Sequence, residues 1–490
     1  MQKRFVRRLS ALLGLLMMVS LLAPAVGEAG EPIEVGSRIE MLVDEALVAE
    51  MEGLSFRLNA PVDCGVAIEK DKPWEGLGSF AYSSVIELDG KYILYYRASQ
   101  TTTKSDADPG QYLCVAFSDD GETWVKPELD IVPYGQYERT NILMDGTTWG
   151  VVCHNFTPML DTNPDCPREE RVKAVGDYGE EGLFVFCSED GLHFRKFCEE
   201  PAVTDRLLDS QNVLVYDSAA GLYRIYSRYF HFFEGASHDS WNGNGVRAIE
   251  SCTSPDCIHW TLPEPNVYTN GEPREDLYTN ATIACPGAEH ILISLPMRFS
   301  PTRTKGLMRN GPGISDAVFM TSRDGHLWDR RFSESWVDGG FDQKRWTQRN
   351  NMPARGLVVK DDCFYAYVLA HYYWDDACLH RYSVRKWGFA SLHAGDEVGY
   401  FETPPVIFSG KTLKINYKTT AFGGIRAAIL DPETGEPFEG FGIEDCREIF
   451  GNSIFESLSF RGGSLASLEG KPVIVRFELR QADLFAWKFE

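Results

Sequence analysis

Short apolar runs rich in Val, Ile, Phe and Tyr recur along the chain, broken by clusters of Gly, Asp, Asn and Ser. Runs of this length and composition predict strands, and the polar clusters predict the turns between them. The runs fall at 80–88, 92–98 and 112–117, then 154–160, 171–175 and 182–187, then 211–216, 222–229 and 246–252. They continue at 278–284, 290–298 and 316–321, then 355–359, 364–371 and 380–386. A heptad of the form Ser-x-Asp-x-x-x-aromatic closes the third run of the first four groups. It places Ser118, Asp120 and Trp124, then Ser188, Asp190 and Phe194, Ser254, Asp256 and Trp260, and Ser322, Asp324 and Trp328. The intervals are 70, 66 and 68 residues, so the heptad marks a repeated supersecondary unit.

In each heptad the Ser and Asp side chains fold back on backbone N–H groups, and Gly, where present, takes a positive φ. The aromatic residue then opens a further strand and seats between units. The heptads are structural and are given no catalytic part. A fifth unit lacks the heptad and has Trp387, Gly388 and Phe389 in its place. Four strands per unit and five units of about 65 residues between 65 and 395 predict a five-bladed β-propeller. From 396 to 490 the pattern changes to runs at 406–408, 413–417, 425–430, 457–460 and 473–479, with a turn at Asp431 to Gly435. These predict a C-terminal β-sandwich, so the fold class is all-β. Residues 30–64 read as a lead-in strand segment.

The 490 residues carry 12% aromatic side chains, which suits sheets. Asp plus Glu outnumber Lys plus Arg by 71 to 48, a net charge of -23 that repels phosphate backbones and excludes nucleic acid as a partner. Lys3, Arg4, Arg7 and Arg8, an apolar stretch from Leu9 to Leu22, and small residues near Ala25 to Ala29 read as a signal peptide over 1–29. That predicts a secreted or periplasmic protein. No later stretch is long and apolar enough to span a bilayer. The twelve Cys show no paired metal spacing, so zinc is not indicated. Cys252 with Cys257, and Cys187 with Cys198, are candidate disulfides in an exported chain. Cys114, Cys187 and Cys285 lie inside apolar runs, where a thiol serves as a small hydrophobe. No cofactor is indicated, although the Asp and Asn side chains of the funnel would accept a structural calcium ion. There is no phosphate cradle and no Gly-x-Ser-x-Gly elbow.

Function has to come from what points into the funnel. The first strand of each unit would start at the axis, where Glu75, His154 with Asn155, Asp209 with Asn212, Glu275 with Asp276, Tyr278 and Asn280, and Arg349 stand. The second strand returns to the same rim with Arg97, Arg228, Arg298 and His371. Carboxylates beside basic groups are what acid–base chemistry at a sugar needs. The bland reading is that these groups salt-bridge one another at strand ends. The segments 231–245 and 300–313 would form rim loops or ordinary solvated loops.

The repeat, the heptads and the trailing all-β segment resemble the five-bladed glycoside hydrolases of families 32 and 43, above all exported bacterial family-32-like glycosyl hydrolases. The resemblance rests on Pro73-Trp74-Glu75-Gly76, His154-Asn155-Phe156-Thr157-Pro158, Asp209-Ser210-Gln211-Asn212 and Leu277-Tyr278-Thr279-Asn280. It implies Glu75 as base or nucleophile, Asp209 as supporting carboxylate and Glu275 as general acid, with Asp276 and Asp161 as alternatives. The Asn-Asp-Pro-Asn-Gly motif of invertases is missing, as are Arg-Asp-Pro and Glu-Cys. The heptad also resembles the aspartate box of sialidases, which has one more residue between Asp and Gly. Arg97, Arg228 and Arg298 could imitate the three-arginine clamp of sialidases on an anionic glycan, since guanidinium forks grip carboxylate or sulfate at two points. The expectation is therefore an exported glycoside hydrolase acting on an oligo- or polysaccharide, with a non-catalytic glycan-binding propeller as the alternative.

Overall fold

A computed structural model describes residues 31–99, 110–237, 243–309 and 311–490, and it is all-β with a few short helical turns. The expected signal peptide lies outside the described residues. Among those described, no helix is long and apolar enough to cross a membrane.

Sheet one joins Ser84–Leu88, Lys91–Ser99, Gln111–Ser118 and Ile142–Asp145, each antiparallel to the one before. Sheet two joins Thr157–Leu160, Val172–Asp177, Leu183–Ser188 and Arg195–Lys196. Sheet three joins Val213–Asp217, Leu222–Phe232, Gly245–Ser254 and Glu264–Pro265. The fourth unit splits into two ladders. Asp276–Leu277, Met297–Ser300 and Ile314–Ala317 form one, and Ile283–Cys285, Ala288–Ser294 and Met320–Ser322 the other. The break falls at Pro296, which has no N–H to give the ladder and whose carbonyl accepts from Val318 N at 2.9 Å. Sheet five sets Met352–Pro353 and Val358–Val359 on Cys363–Ala370, then adds Cys378–Arg385 and finally Val62–Glu69.

Second and third strands such as Lys91–Ser99 are buried on both faces because each sheet is packed between two others. That is why their sequence is a continuous apolar run and not an alternation. The first strands of the first four units touch in chain order, Ile314–Ala317 of the fourth touches Met352–Pro353 of the fifth, and the chain's first and last units meet directly. Val85 N donates to Arg355 O at 2.8 Å and Arg355 N to Ser83 O at 2.9 Å. The next residue, Gly356, has φ +95, and a Cβ there would meet Val85 O at 2.2 Å, so only Gly permits this approach.

The heptad turns fold as their sequence predicts. In the first, Oδ1 of Asp120 accepts from the N–H groups of Glu122 and Thr123, and Ser118 Oγ accepts from Gly121 N. Asp190, Asp256 and Asp324 repeat the arrangement. Each glycine carbonyl then receives a buried tyrosine hydroxyl from the preceding sheet. Tyr95 of sheet one reaches Gly191 O at 2.9 Å, Tyr226 of sheet three reaches Gly325 O at 2.9 Å, and Tyr367 of sheet five reaches Gly121 O at 2.5 Å. The same tyrosines meet the heptad aromatics edge-on, with Tyr226 and Trp328 centroids 5.5 Å apart and Tyr367 and Trp124 centroids 5.4 Å apart. In the third heptad Cys257 replaces Gly at φ +63 and is fully buried.

Apart from a short parallel pair, Val267–Tyr268 with Leu327–Trp328, the remaining strands form one ten-stranded sheet around a core of Phe401, Phe408, Tyr417, Phe477, Trp487 and Phe489. Its spine is the long antiparallel pair Leu413–Leu430 and Pro472–Phe489. The expected boundaries shift here. Ala390–Ala394 pairs with Pro472–Phe489 and so belongs to this sheet, although it precedes residue 396. The segment 30–64 supplies Ile33–Gly36, Glu40–Met41, Glu50–Glu52 and Leu54–Leu58 to the same sheet. Pairings between the two ends of the chain have no local signature. All twelve cysteines are free thiols, so neither candidate disulfide is present. Cys257 is committed to the corner of its turn, and Cys198 Sγ points to Glu200 O at 3.3 Å.

A buried ion cluster ties the ten-stranded sheet to the fourth unit. Fully buried Glu40 faces Arg323 Nη1 at 3.0 Å and His290 Nε2 at 3.3 Å, and it accepts from Arg38. Burial alone would raise the Glu40 carboxyl, but the His290 hydrogen bond and the Arg323, His290 and Arg38 charges outweigh it and hold it at about 2, against an ordinary 4.5. A lowered carboxyl stabilises the fold above its unfolded value and loses that contribution as pH falls through its folded value. Glu40→Gln is expected to lower the thermal midpoint at pH 7, with the gap to wild type closing between pH 4.5 and about 2; a constant gap would refute the linkage. Tyr226→Phe strips a donor from a buried carbonyl and is expected to cost about 1 to 3 kcal/mol in denaturant unfolding.

Candidate active site

The starts of the first strands and the ends of the second strands bring one cluster of polar side chains together. Arg97, at the end of the second strand of sheet one, donates to Gly78 O at 2.9 Å and to the Tyr372 hydroxyl at 2.9 Å. Its other terminal nitrogen lies 3.1 Å from Nδ1 of His154. His154 Nε2 is 3.4 Å from Asp209, and Gln111 Oε1 is 2.8 Å from Nδ1. Arg228 of sheet three donates to the carbonyls of Leu207 and Asp209. Arg349 lies over the Tyr278 ring at 5.5 Å, and Arg97 over the Tyr82 ring at 5.1 Å. Arg97 and Arg349 both act on Tyr372 and Tyr82.

The backbone is strained at this place. Phe80, Tyr82, Ala281, Arg349, Asn351, His371 and Tyr373 all have φ between +45 and +68 without being glycine. Left-handed non-glycine residues cost about 1 to 3 kcal/mol each and persist where the surrounding structure over-determines them, commonly at functional sites.

The charges are out of balance. Among the described ion pairs none neutralises Arg97, Arg228 or Arg349, whose neighbours are carbonyls, tyrosines and a histidine. Arg349 Nε is buried without a hydrogen-bond partner. Burial pushes the Arg228 guanidinium down from its ordinary value. By contrast Arg298 is satisfied by Asp316 at 2.9 Å, and Arg247 by Asp276 at 2.9 Å. A buried, unmatched cation costs free energy that an arriving anion recovers. Tyr372 responds to the same field. Its burial opposes ionisation, but Arg97 and Arg349 outweigh burial and hold the phenol below its ordinary range.

The carboxylates expected to act together are placed apart. Glu75 has a side chain with 0% exposure, locked by Lys126 Nζ at 2.7 Å, the Tyr96 hydroxyl at 2.6 Å and the N–H groups of Asp71 and Lys72. Glu275 pairs with Arg330, on the side of Tyr268. Asp276 is occupied by the backbone and side chain of Arg247. Asp161 pairs with Lys173 at 2.7 Å in another buried cluster. Only Asp209, with a side chain 37% exposed, stands in the arginine cluster with access to solvent. His371 is held by Asp342 at 2.5 Å and Asp376 at 3.0 Å, beside the cluster and not in it.

The asparagines are structural clips. Asn155 donates to Leu208 O and Ser210 O, Asn212 to the same two carbonyls, and Asn280 to Gln211 O and Tyr226 O. All three are buried and bind first strands to their neighbours. Tyr82, Tyr372, Arg247 and Gln111 were not foreseen as site residues. The aromatic run after His371 was the available signal for Tyr372; nothing local marks Tyr82, whose place depends on its left-handed backbone. Among the described residues no cluster of three or more His, Cys, Asp or Glu could hold a metal ion. Cavities of about 610 and 390 Å³ lie elsewhere, beside Asp44 and Arg323 and on the ten-stranded sheet.

No protein-family model matches this sequence, and no curated protein matches it. Solved structures similar to it include a glycoside hydrolase at 10% identity and TM-score 0.45, covering 66% of this chain and 92% of that one. A glycosyl hydrolase from Bacteroides ovatus matches at 13% identity and TM-score 0.40, over 71% of this chain and 93% of that one. A family 43 arabinoxylan arabinofuranohydrolase from Bacillus subtilis matches at 10% identity and TM-score 0.42, over 87% of this chain and 99% of that one. The likeness is loose.

Arg349 has tyrosines around it but no carboxylate among the described ion pairs, so Arg349→Met is expected to raise the thermal midpoint of the ligand-free protein, by about 1 kcal/mol of stability. The same change should abolish any rise in midpoint produced by galacturonate or sulfate. A fall in the ligand-free midpoint would show that Arg349 already has its counter-charge.

Proposed function

We propose that the protein is an exported five-bladed propeller enzyme that binds an anionic glycan at the arginine cluster and cleaves its glycosidic bonds. In this reading sheets one to three, the split fourth unit and sheet five are the blades, and Val62–Glu69 closes the ring as the outer strand of the fifth. The ten-stranded sheet is the sandwich that follows it. Residues 1–29 direct export.

One observation carries the reading. Arg97, Arg228 and Arg349 gather where first and second strands converge, and no carboxylate among the described ion pairs answers them. A carboxylate or sulfate on a sugar is the partner that such forks fit. Asp209 and His154 supply acid–base capacity next to the guanidiniums and within reach of solvent. Glu75 takes a supporting place: its carboxylate fixes Tyr96 and the turn at residues 71–75. Glu275 with Arg330 takes a place at the edge of the site.

The ion pairs of Glu75 and Glu275 also fit a second reading, a glycan-binding propeller without catalysis. Reducing-end release from anionic and neutral polysaccharides separates the two. Wild type is expected to release ends from uronate-bearing or sulfated substrates and little from neutral ones, and Asp209→Asn to lose about 10²-fold or more of that rate. Equal rates on neutral substrates would sink the anionic reading. Midpoint shifts without release would leave only binding.

A further inference from the structure

We propose that the cluster opens 4-linked uronates by β-elimination, with His154 taking the C5 proton and Tyr372 protonating the departing O4. This rests on the reading of the cluster as the place where an anionic glycan is cleaved, and it names the substrate class and the bond-breaking route.

The carboxylates are a poor pair for hydrolysis. Of the three expected to share the work, Glu75 is sealed behind Lys126 and Glu275 is spent on Arg330, which leaves Asp209 without a second accessible acid. Elimination does not need one. It needs a cation on the carboxylate to acidify the adjacent C–H, a base for that proton and an acid for the leaving oxygen. Arg228 and Arg349 are the unmatched cations. His154 and Tyr372 are set on the two arms of a single guanidinium, since Arg97 reaches Nδ1 of His154 at 3.1 Å and the Tyr372 oxygen at 2.9 Å.

That shared guanidinium also sorts the roles. Gln111 Oε1, an acceptor, stands 2.8 Å from Nδ1, so Nδ1 carries the ring proton and Nε2 is the nitrogen that accepts. Asp209, 3.4 Å from Nε2, stabilises the imidazolium once it forms. The Tyr372 oxygen accepts from Arg97, and Arg97 with Arg349 stabilises the phenolate that remains once its proton is given. The step balances. The C5–H bond breaks and its proton goes to His154, the electron pair forms the C4=C5 bond, and the C4–O4 bond breaks as O4 takes the Tyr372 proton. No water, oxidant or metal is consumed. The proton on His154 returns to the Tyr372 phenolate through solvent, and the products are a reducing sugar and an unsaturated uronate.

The test incubates the full chain with polygalacturonate, alginate and chondroitin sulfate in water enriched in oxygen-18. Elimination predicts ultraviolet absorbance from the conjugated product, new reducing ends without the heavy isotope, and a fall of about 10²-fold or more in Tyr372→Phe and His154→Gln. Both variants should keep the substrate-induced midpoint shift, which a misfolded variant would lose. Reducing ends that carry oxygen-18, with no ultraviolet product, would overturn the elimination and leave glycan cleavage standing. Midpoint shifts without any new ends would overturn both. No shift and no ends with all three polymers would also remove the uronate as substrate class.

Discussion

The contact on which the site depends is the one between the first strands of the first and last units. The paired N–H groups of Val85 and Arg355, with Gly356 to allow the approach, join parts of the chain some 270 residues apart. Val62–Glu69 adds a second tie by completing sheet five from the N-terminal side. Once these are made, the end of the second strand of sheet one must face the end of the second strand of sheet five. Arg97 then finds Tyr372, although 275 positions separate them. The tyrosine-to-glycine ties outside the axis hold the sheets at a fixed spacing, so the cluster is held by the rim as well as by its own contacts.

Geometry alone would not give such a cluster a purpose; its charge does. The protein is strongly acidic overall, with a net charge of -23, yet at the convergence of its strands it buries guanidiniums that no carboxylate pairs with among the described ion pairs. Acidic side chains nearby are spent elsewhere: Asp276 on Arg247, Asp316 on Arg298, Asp342 on His371. An acidic surface repels polyanions at long range, so recognition of an anion here must come from short-range forks in a desolvated place and not from steering.

The repeat was legible because each heptad is a local device. Ser, Asp and Gly act within seven residues, and the hydrogen bonds of Asp120, Asp190, Asp256 and Asp324 follow the reading of the sequence. Strand ends were legible in the same way, and Arg97, His154, Asp209, Arg228 and Arg349 do come together. What was hidden is long-range. Glu75 looked free because Lys126, 51 positions away, gives no local hint of its approach. The asparagines looked like ligands, but at the start of a first strand an amide is needed to bridge two carbonyls of the neighbouring sheet. Residues 30–64 looked like a lead-in because strand partners beyond residue 390 cannot be read from the segment itself.

The same distinction decides which chemistry the cluster favours. A carboxylate is a good acid or base only when its environment leaves it partly unsatisfied, and Glu75 accepts from a lysine, a tyrosine and two backbone amides. Such a group is held on every side by the fold and has nothing left to offer a substrate. Tyr372 is in the opposite position. It receives a hydrogen bond from Arg97 and lies in a field of Arg97 and Arg349 that lowers the cost of losing its proton. His154 sits between the Arg97 guanidinium and the Asp209 carboxylate, with Nδ1 against Gln111 Oε1. In the proposed chemistry the protons therefore move on His154 and Tyr372, and not on a carboxylate that the fold has already spent.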